Sequence, residues 1–181
     1  MARFRILETS TGPFFLLACN DGSLETGWVE MAQNMGRMNS DGLAEATLDK
    51  SMLPDVVSRI LMAFNGQSVD FSDLPTPSGT PFQRAVWRAT RAIPLGETRS
   101  YAETATAAGY SGAARAVGQA MRKNRLPMVI PCHRVIGATG LGGFGGKNGL
   151  GGWILIKKAL LDAEKTDSQP KREMSTLSGS M

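Results

Sequence analysis

Residues 101–122, with the sequence YAETATAAGYSGAARAVGQAMR, decide the fold of the second half of the chain. This stretch contains two short helical segments, Tyr101 to Ala108 and Ser111 to Arg122, which are separated by Gly109-Tyr110. Two short helices joined by a tight turn that contains glycine are typical of a helix-turn-helix. The stretch therefore predicts a helix-turn-helix.

The second of these helices carries small side chains and one long cation, Arg115, in its N-terminal half. The small residues are Ala113, Ala114, Ala116 and Gly118. Small residues let a helix backbone approach closely, which suits a DNA minor groove about 6 Å wide. Arg122 and Lys123 are then candidates to hold phosphates. An alanine-rich helix packed on a core explains the same pattern, so the helix alone leaves both interpretations open.

The segment before the helix-turn-helix begins with a sharp helix start. Thr80-Pro81-Phe82-Gln83 has the form of a capping box with proline at the first helical position. The predicted buried stripe of this helix consists of Phe82, Val86, Ala89 and Ile93. Residues 74–79 hold two prolines and a glycine, and they are the best candidate for a linker between two domains, 1–78 and 79–165.

The first domain is predicted to be an antiparallel meander with a helix. Residues 3–8, 13–19 and 24–31 are apolar or alternating and are separated by turn signals. Residues 32–50 are polar and predict a loop or a loose helix. Pro54 then begins a helix whose apolar face consists of Val56, Val57, Ile60, Leu61 and Phe64. Val69 and Phe71 suggest a further strand.

Charge is divided unevenly between the two predicted domains. Residues 1–78 contain 5 Lys or Arg against 10 Asp or Glu, whereas residues 79–165 contain 13 against 4. A basic domain joined to an acidic one indicates a polyanion partner for the basic half. Ordinary solvated charge fits the first half well but explains the asymmetry poorly. No stretch is long and apolar enough to predict a membrane span, and no signal peptide is apparent. The expected location is the cytoplasm.

Pro131-Cys132-His133-Arg134 holds the only histidine of the chain and one of its two cysteines. A thiol becomes a strong nucleophile when a base removes its proton. The preceding Met128-Val129-Ile130 predicts a buried strand, in which neighbouring side chains point to opposite faces. His133 would then reach Cys132 only through a water or a bend. A buried structural cysteine beside a surface histidine is the alternative. One histidine and two distant cysteines predict no structural zinc site.

A glycine-rich segment follows the thiol. Residues 137–152 hold nine glycines in sixteen positions, a loop that can wrap a planar ligand with backbone amides or be merely flexible. Trp153 to Ala163 predicts an apolar helix with Ile156, Leu160 and Leu161 facing inward. Residues 166–181 are polar and without pattern, so they predict a disordered tail.

These segments together resemble the O6-alkylguanine-DNA alkyltransferase (methylated-DNA–protein-cysteine methyltransferase) family. The resemblance runs from Thr80 to about Glu164, and its most specific part is the order and spacing of the motifs that end in the thiol segment. The other matching motifs are Thr80-Pro81-Phe82-Gln83, Val86-Trp87, Gly96-Glu97-Thr98, Ser100-Tyr101, Ala113-Ala114-Arg115-Ala116-Val117-Gly118 and Asn124. The resemblance implies an α+β fold: a ribonuclease-H-like antiparallel sheet with a helix, then a mainly helical domain with the helix-turn-helix.

The resemblance also implies residue roles. Cys132 would accept the alkyl group and keep it, once per molecule, while His133 draws off the thiol proton through a water and is oriented by Glu164. Tyr101 would crowd the target phosphate and donate a proton to the guanine, and Asn124 would brace the turn before the thiol. Arg115 would fill the space left by the flipped base. The remaining expected DNA-binding residues are Ala113, Ala114, Ala116, Gly118, Arg122, Lys123 and Arg134.

The expected substrate pocket consists of Tyr101, Val135, Phe144, Gly145 and Gly146. Here the chain departs from the family, which usually has Gly-Tyr-x-Gly-Gly where this sequence has Gly143-Phe144-Gly145-Gly146. Compared with the family, Lys147 to Gly152 is also an extra stretch in the glycine loop. The resemblance implies no cofactor and no metal. The expected partner is double-stranded DNA that contains O6-alkylguanine, with O4-methylthymine as a further candidate, bound through its minor groove by a monomer.

Two other function classes fit parts of the sequence. A non-enzymatic reader of alkylated DNA would use the same helix-turn-helix, but such family members lack the reactive cysteine. A thiol hydrolase would use a Cys–His pair, but the adjacency of the two residues and the lack of a second histidine count against it. Both remain alternatives that an experiment separates.

Overall fold

The computed structural model describes residues 1–34, 46–142 and 152–167. The chain begins with a meander of three antiparallel strands, β1 (Arg3–Leu7), β2 (Phe14–Ala18) and β3 (Leu24–Trp28). The predicted meander is confirmed, with strands a few residues shorter than expected. The third strand ends at Trp28 because Val29 already begins helix α1 (Val29–Asn34).

A fourth strand, β4 (Thr47–Leu48), pairs with β1 in the parallel sense, so the sheet order is β3-β2-β1-β4. The predicted helix from Pro54 is present as α2 (Pro54–Phe64), with Val56, Val57 and Ile60 buried. The further strand expected at Val69 and Phe71 is wrong. Phe71 instead packs into the core from an irregular segment, under the guanidinium of Arg59 at 5.4 Å from its ring centre.

Aromatic rings hold α2 and the last helix of the chain, α6 (Gly152–Asp167), against the sheet. Phe14 and Trp28 meet edge to face at 5.0 Å, and Phe64 of α2 meets Phe14 in the same way at 5.0 Å. Trp153 of α6 packs edge to face on Trp28 at 5.2 Å. Edge-to-face pairs add to the energy of apolar burial, so these four rings fix both helices on one face of the sheet.

The helical half begins at α3 (Pro81–Arg91), whose capping box is present as predicted. It continues with β5 (Arg99–Ser100), α4 (Tyr101–Ala107) and α5 (Ala114–Arg122). The second helix of the helix-turn-helix therefore begins three residues later than expected, because Ser111 and Gly112 form a turn and Gly112 adopts a φ of 83°. Trp87 joins α3 to α5 by donating to the Ala120 carbonyl at 3.0 Å.

After the thiol segment, β6 (Val135–Ile136) pairs with β5 in parallel. Helix α6 runs to Asp167, so residues 166 and 167 of the expected tail are helical; residues 168–181 lie outside the described residues. The turn after α2 touches α6 closely: a Cβ on Gly66, which has a φ of 75°, would lie 2.3 Å from the Ala163 carbonyl oxygen. Only glycine permits this approach.

Most of the buried residues of the sheet and of the helical half belong to one hydrophobic cluster, which extends from Leu7 and Phe14 to Val135 and Leu160. The α+β fold class is confirmed. The division of the chain into two domains at residue 78 stays a prediction. Among the described residues, no helix is both long and apolar enough to cross a membrane.

Candidate active site

The thiol lies on a tight helical turn, not on a strand. Residues 128–130, expected as a buried strand, form a turn and a bend, and Cys132–Arg134 is a 3-10 helix. The Cys132 amide donates to the Ile130 carbonyl at 2.7 Å. The expected strand is therefore wrong, and so is the argument that neighbouring side chains diverge there. Cys132 is only 6% exposed, and the turn carries both its thiol and the imidazole of His133 into the interior.

Asn124 braces this turn from inside, as the resemblance implied. Its side-chain amide donates to the Ile130 carbonyl at 3.0 Å, and its side-chain oxygen accepts from the Leu126 amide at 2.9 Å. A further hydrogen bond joins the Asn124 side chain to the Cys132 thiol and favours the thiolate. Asn124 thus shapes the turn and also contacts the sulfur.

His133, Glu164 and Arg134 form a buried network. His133 Nε2 lies 2.6 Å from Glu164 Oε1, and the Arg134 guanidinium donates to the same carboxylate from Nε and Nη2 at 2.9–3.1 Å. Arg134 Nη1 donates to the Ile93 carbonyl at 2.7 Å. Its three nitrogens therefore point inward. These contacts do not favour the predicted DNA-binding role of Arg134, which neutralises the carboxylate that orients the histidine.

The network determines the protonation state of His133. Burial acts to raise the pKa of Glu164, but the hydrogen bonds and charges of His133 and Arg134 outweigh it and lower that pKa to about 2. Burial lowers the pKa of His133 despite its carboxylate partner. A neutral imidazole beside an ionised carboxylate donates through Nε2, since the carboxylate can only accept. Nδ1 is then the nitrogen with a free lone pair, and it is the only candidate base on this ring.

Lys157 is a buried cation at the site that the sequence did not lead us to expect. It is 2% exposed, it donates from Nζ to the Val135 carbonyl at 2.6 Å, and burial lowers its pKa to about 8. Its positive charge acts on the Cys132 thiolate and lowers the thiol pKa. The available signal was spacing, because Lys157 precedes Leu160 by three residues and Glu164 by seven, which puts all three on one helical face.

Tyr101 lies at the edge of the site, at the first position of α4. Burial raises the pKa of its hydroxyl, and the charge of Cys132 raises it further. Its ring also lies beside Gly142, where a Cβ would be 3.2 Å from Tyr101 Cε2 and 2.8 Å from the Gly137 amide nitrogen. Gly142, at a φ of 62°, therefore needs to be glycine both for its backbone conformation and for the space that the tyrosine takes.

The remaining predicted site residues fall into three groups. Arg115, Ala116, Arg122 and Lys123 are exposed on or just after α5, and Ala113, Ala114 and Gly118 are half-buried. Val135, expected in the substrate pocket, has its side chain fully buried in the core and contributes its carbonyl to Lys157 instead. Phe144, Gly145 and Gly146 lie outside the described residues.

A cavity of about 460 Å³ borders the histidine network, and its lining includes His133, Arg134, Glu164, Ile93 and Pro94. The imidazole is therefore close to solvent on one side although it is buried.

Residues 81–166 match the family model described as 6-O-methylguanine DNA methyltransferase, DNA binding domain. The methylated-DNA–protein-cysteine methyltransferase of Mycobacterium tuberculosis (strain H37Rv) is 37% identical over 166 residues, which cover 92% of this chain and 94% of the relative. The constitutive enzyme of the same name from Bacillus subtilis (strain 168) is 41% identical over 145 residues, covering 80% and 79%.

The structure is similar to that of the Mycobacterium tuberculosis OGT in complex with DNA, with a TM-score of 0.71 and 37% identity over 91% of this chain and 93% of the other. The sequence match spans nearly the whole chain, and the buried thiol, histidine and carboxylate lie inside the part that matches the family model. The chain belongs to the methylated-DNA–protein-cysteine methyltransferase family.

Proposed function

We propose that this protein repairs alkylated DNA by moving the alkyl group of O6-alkylguanine onto the sulfur of Cys132. DNA repair by alkyl transfer to a protein cysteine is the activity of the family. The surroundings of the Cys132 thiol support this assignment. Asn124 and Lys157 both favour its thiolate, and the same turn carries His133. The other cysteine, Cys19, ends an apolar segment of the first half and has no such surroundings among the described residues.

Deprotonation of the thiol is the first step. His133 accepts the proton at Nδ1, through a water, while Nε2 donates to Glu164. The carboxylate stabilises the imidazolium that forms, because its charge is opposite and it is already in place. The positive charge of Lys157 and the amide of Asn124 stabilise the thiolate.

Transfer then proceeds by in-line attack. The sulfur–carbon bond forms as the bond between the alkyl carbon and O6 breaks, and the electron pair of that bond moves into the guanine ring. Tyr101 donates a proton to the ring nitrogen that gains this charge, and the protonated histidine supplies the proton that restores the balance. A thioether is a poor leaving group, so each molecule reacts once.

The base reaches the thiol by leaving the DNA stack. We propose that α5 docks in the minor groove through the small residues Ala113, Ala114, Ala116 and Gly118, with Arg115 filling the vacated space. Arg115 is exposed near the start of α5, which is the position this role needs. Arg122 and Lys123 hold phosphates at the other end of the helix.

The state and location of the protein are part of the proposal. One molecule carries the thiol, its base and the helix-turn-helix, so a monomer suffices for the reaction. A thiol that must stay reduced requires a reducing compartment, which favours the cytoplasm.

The observation that carries the proposal is the contact of Asn124 and the charge of Lys157 at Cys132, next to a histidine held by a buried carboxylate. Intact-mass measurement tests it after incubation with duplex DNA that contains one O6-methylguanine. The expected result is a gain of one methyl group, which is lost in Cys132→Ala and retained in the matched control Cys19→Ala. Binding without a mass change would support the damage-reader alternative, and repeated turnover of an ester or peptide would support a thiol hydrolase.

A further inference from the structure

The edge strand β3 reaches across to the segment that leads to the thiol. Thr26, in the middle of β3, is 4% exposed, and its hydroxyl donates to the Pro127 carbonyl at 2.8 Å. Its backbone amide donates to the Arg125 carbonyl, also at 2.8 Å. One residue of the acidic half thus holds two carbonyls of the basic half, about a hundred positions away in sequence.

The Pro127 carbonyl belongs to the peptide unit that enters Met128. Met128 adopts a φ of 74°, a left-handed conformation that a residue with a side chain seldom takes. Such a conformation persists where surrounding contacts impose it. The bond from the Thr26 hydroxyl fixes the plane of the peptide before Met128, and it is therefore one of the contacts that impose this conformation.

The held segment continues directly into the active site. The Ile130 amide donates to the Leu126 carbonyl at 2.8 Å, and the Cys132 amide donates to the Ile130 carbonyl at 2.7 Å. The same Ile130 carbonyl accepts from Asn124, which also bonds the thiol. A shift of the peptide at Pro127 would pass through these bonds to the amide, carbonyl and sulfur around Cys132.

We propose that Thr26 is a positioning residue for the alkyl transfer. Its hydroxyl holds the turn in the one arrangement that keeps the Cys132 thiol against Asn124 and within the field of Lys157. The first half of the chain therefore takes part in setting the reactivity of the thiol in the second half. This inference rests on the proposed role of Cys132 and adds a residue that touches neither the thiol nor DNA.

Thr26→Val tests the hydroxyl alone, because valine keeps the shape, the backbone amide and the strand preference of threonine. Thr26→Ser restores the hydroxyl. Thr90→Val is the matched control: Thr90 is also buried and donates its hydroxyl to the Val86 carbonyl, but it lies in α3 and, among the described residues, shares no hydrogen bond with residues 124–132. Thermal unfolding monitors the stability of each variant.

Two rates are measured against pH for each protein: methyl transfer from O6-methylguanine in duplex DNA, and modification of Cys132 by iodoacetamide in a Cys19→Ala background. We expect Thr26→Val to slow both rates at neutral pH by roughly tenfold, since each unit of thiol pKa is a factor of ten in thiolate, and to move the iodoacetamide profile toward higher pH. Thr26→Ser should follow the wild-type profile. Thr90→Val should lower the unfolding temperature without moving the profile.

A folded Thr26→Val protein with the wild-type rates and pH profile would overturn the inference, and so would an equal shift in Thr90→Val. Thr26→Ala replaces the valine variant if the latter does not fold. The iodoacetamide profile needs no DNA, so it separates the two proposals. A wild-type protein that gains no methyl group from DNA, while Thr26→Val still shifts the profile, would contradict alkyl repair and leave the role of Thr26 standing.

Discussion

Opposing influences act on the thiol of Cys132. Burial raises its pKa and so works against the reactive thiolate, whereas Asn124, Lys157 and the nearby backbone amides lower it. A buried thiol without these groups would be inert at neutral pH. Burial is the larger effect, so the thiol pKa lies above its ordinary value, and the polar groups limit this increase.

Lys157→Met should destabilise the Cys132 thiolate and so raise the thiol pKa, because the variant keeps the length of the side chain and removes its charge. We expect alkyl transfer at neutral pH to slow by roughly tenfold for each unit by which the Cys132 pKa rises. Lys158→Met is the matched control, since Lys158 is the next residue and its side chain is exposed. The rate of iodoacetamide modification against pH checks this, and identical profiles for the two variants would contradict it.

Glu164→Gln should remove the anion that stabilises the protonated histidine. Methyl transfer is expected to slow by roughly 100-fold, the lower end of the range that general acid–base groups contribute, because the histidine itself is retained. The duplex repair rate, measured by intact mass over time, checks this. Modification of the buried Cys132 thiol by iodoacetamide should not become faster, because misfolding would expose this thiol and speed its modification.

Acid stability should also depend on Glu164. Its pKa falls from 4.5 to about 2 on folding, so the folded protein binds this proton more weakly than the unfolded chain. The stability it contributes is complete above the unfolded value and is lost as pH falls from about 4.5 towards 2. Chemical unfolding at about pH 5 and pH 3 checks this. The wild-type protein should lose more stability across that interval than Glu164→Gln does.

At the scale of single elements, helix α5 has an inner face packed against the core and an outer face that carries mostly small side chains. Val117, Ala120 and Met121 are buried, and Trp87 of α3 holds the Ala120 carbonyl. The outer face presents Arg115 and Ala116, which are exposed. In the proposed docking, a helix held this firmly would enter a groove without distortion, and its small side chains would let the backbone come close to the DNA.

Arg115→Ala should slow repair of duplex DNA far more than it slows reaction with free O6-benzylguanine. The free base needs no extrusion from a stack, a step that costs a few kcal/mol in duplex DNA. The ratio of the two rates is the measurement. Arg99→Ala provides a control, because Arg99 is a half-buried arginine outside α5. Equal losses on both substrates in Arg115→Ala would show that Arg115 does not stabilise the flipped state.

For the whole molecule, the structure shows which residues of the basic half are exposed and which are paired within the protein. The basic residues after 79 include Arg115, Arg122 and Lys123, which are exposed along and after α5, while the acidic first half supplies the sheet. Not every cation belongs to the DNA surface. Arg125 pairs with Glu25 of β3, and Arg134 is turned inward. Sequence position alone overstates the basic surface that is available to DNA.

Binding to duplex DNA should weaken as salt concentration rises, because each neutralised phosphate releases a condensed counterion. Each contact contributes about −0.9 to the slope of log K against log salt. Arg122→Gln should therefore make the slope shallower by about one contact, and Arg134→Gln should leave the slope unchanged. Fluorescence anisotropy from low to moderate salt checks both. A slope altered by Arg134→Gln and unaltered by Arg122→Gln would reverse the assignment.

The sequence by itself determined the elements whose signals are local. The capping box at Thr80, the meander and the helix from Pro54 depend on turn residues and apolar periodicity within a few positions, and these predictions were confirmed. The roles of Cys132, His133 and Glu164 came from a resemblance in spaced motifs. That resemblance was sufficient to predict the family and the contact between His133 and Glu164.

Only the tertiary structure decided the surroundings of the thiol. Periodicity made residues 128–130 a strand, but the left-handed Met128 and the bonds from Asn124 and Thr26 bend them into turns. Spacing could have placed Lys157 on the inner face of α6, but its bond to the Val135 carbonyl and the inward direction of Arg134 could not be predicted, because each depends on a group from a distant segment. Burial, hydrogen bonds and charge interactions between segments far apart in sequence exist only once the chain has folded, and they are what determine the reactivity of Cys132.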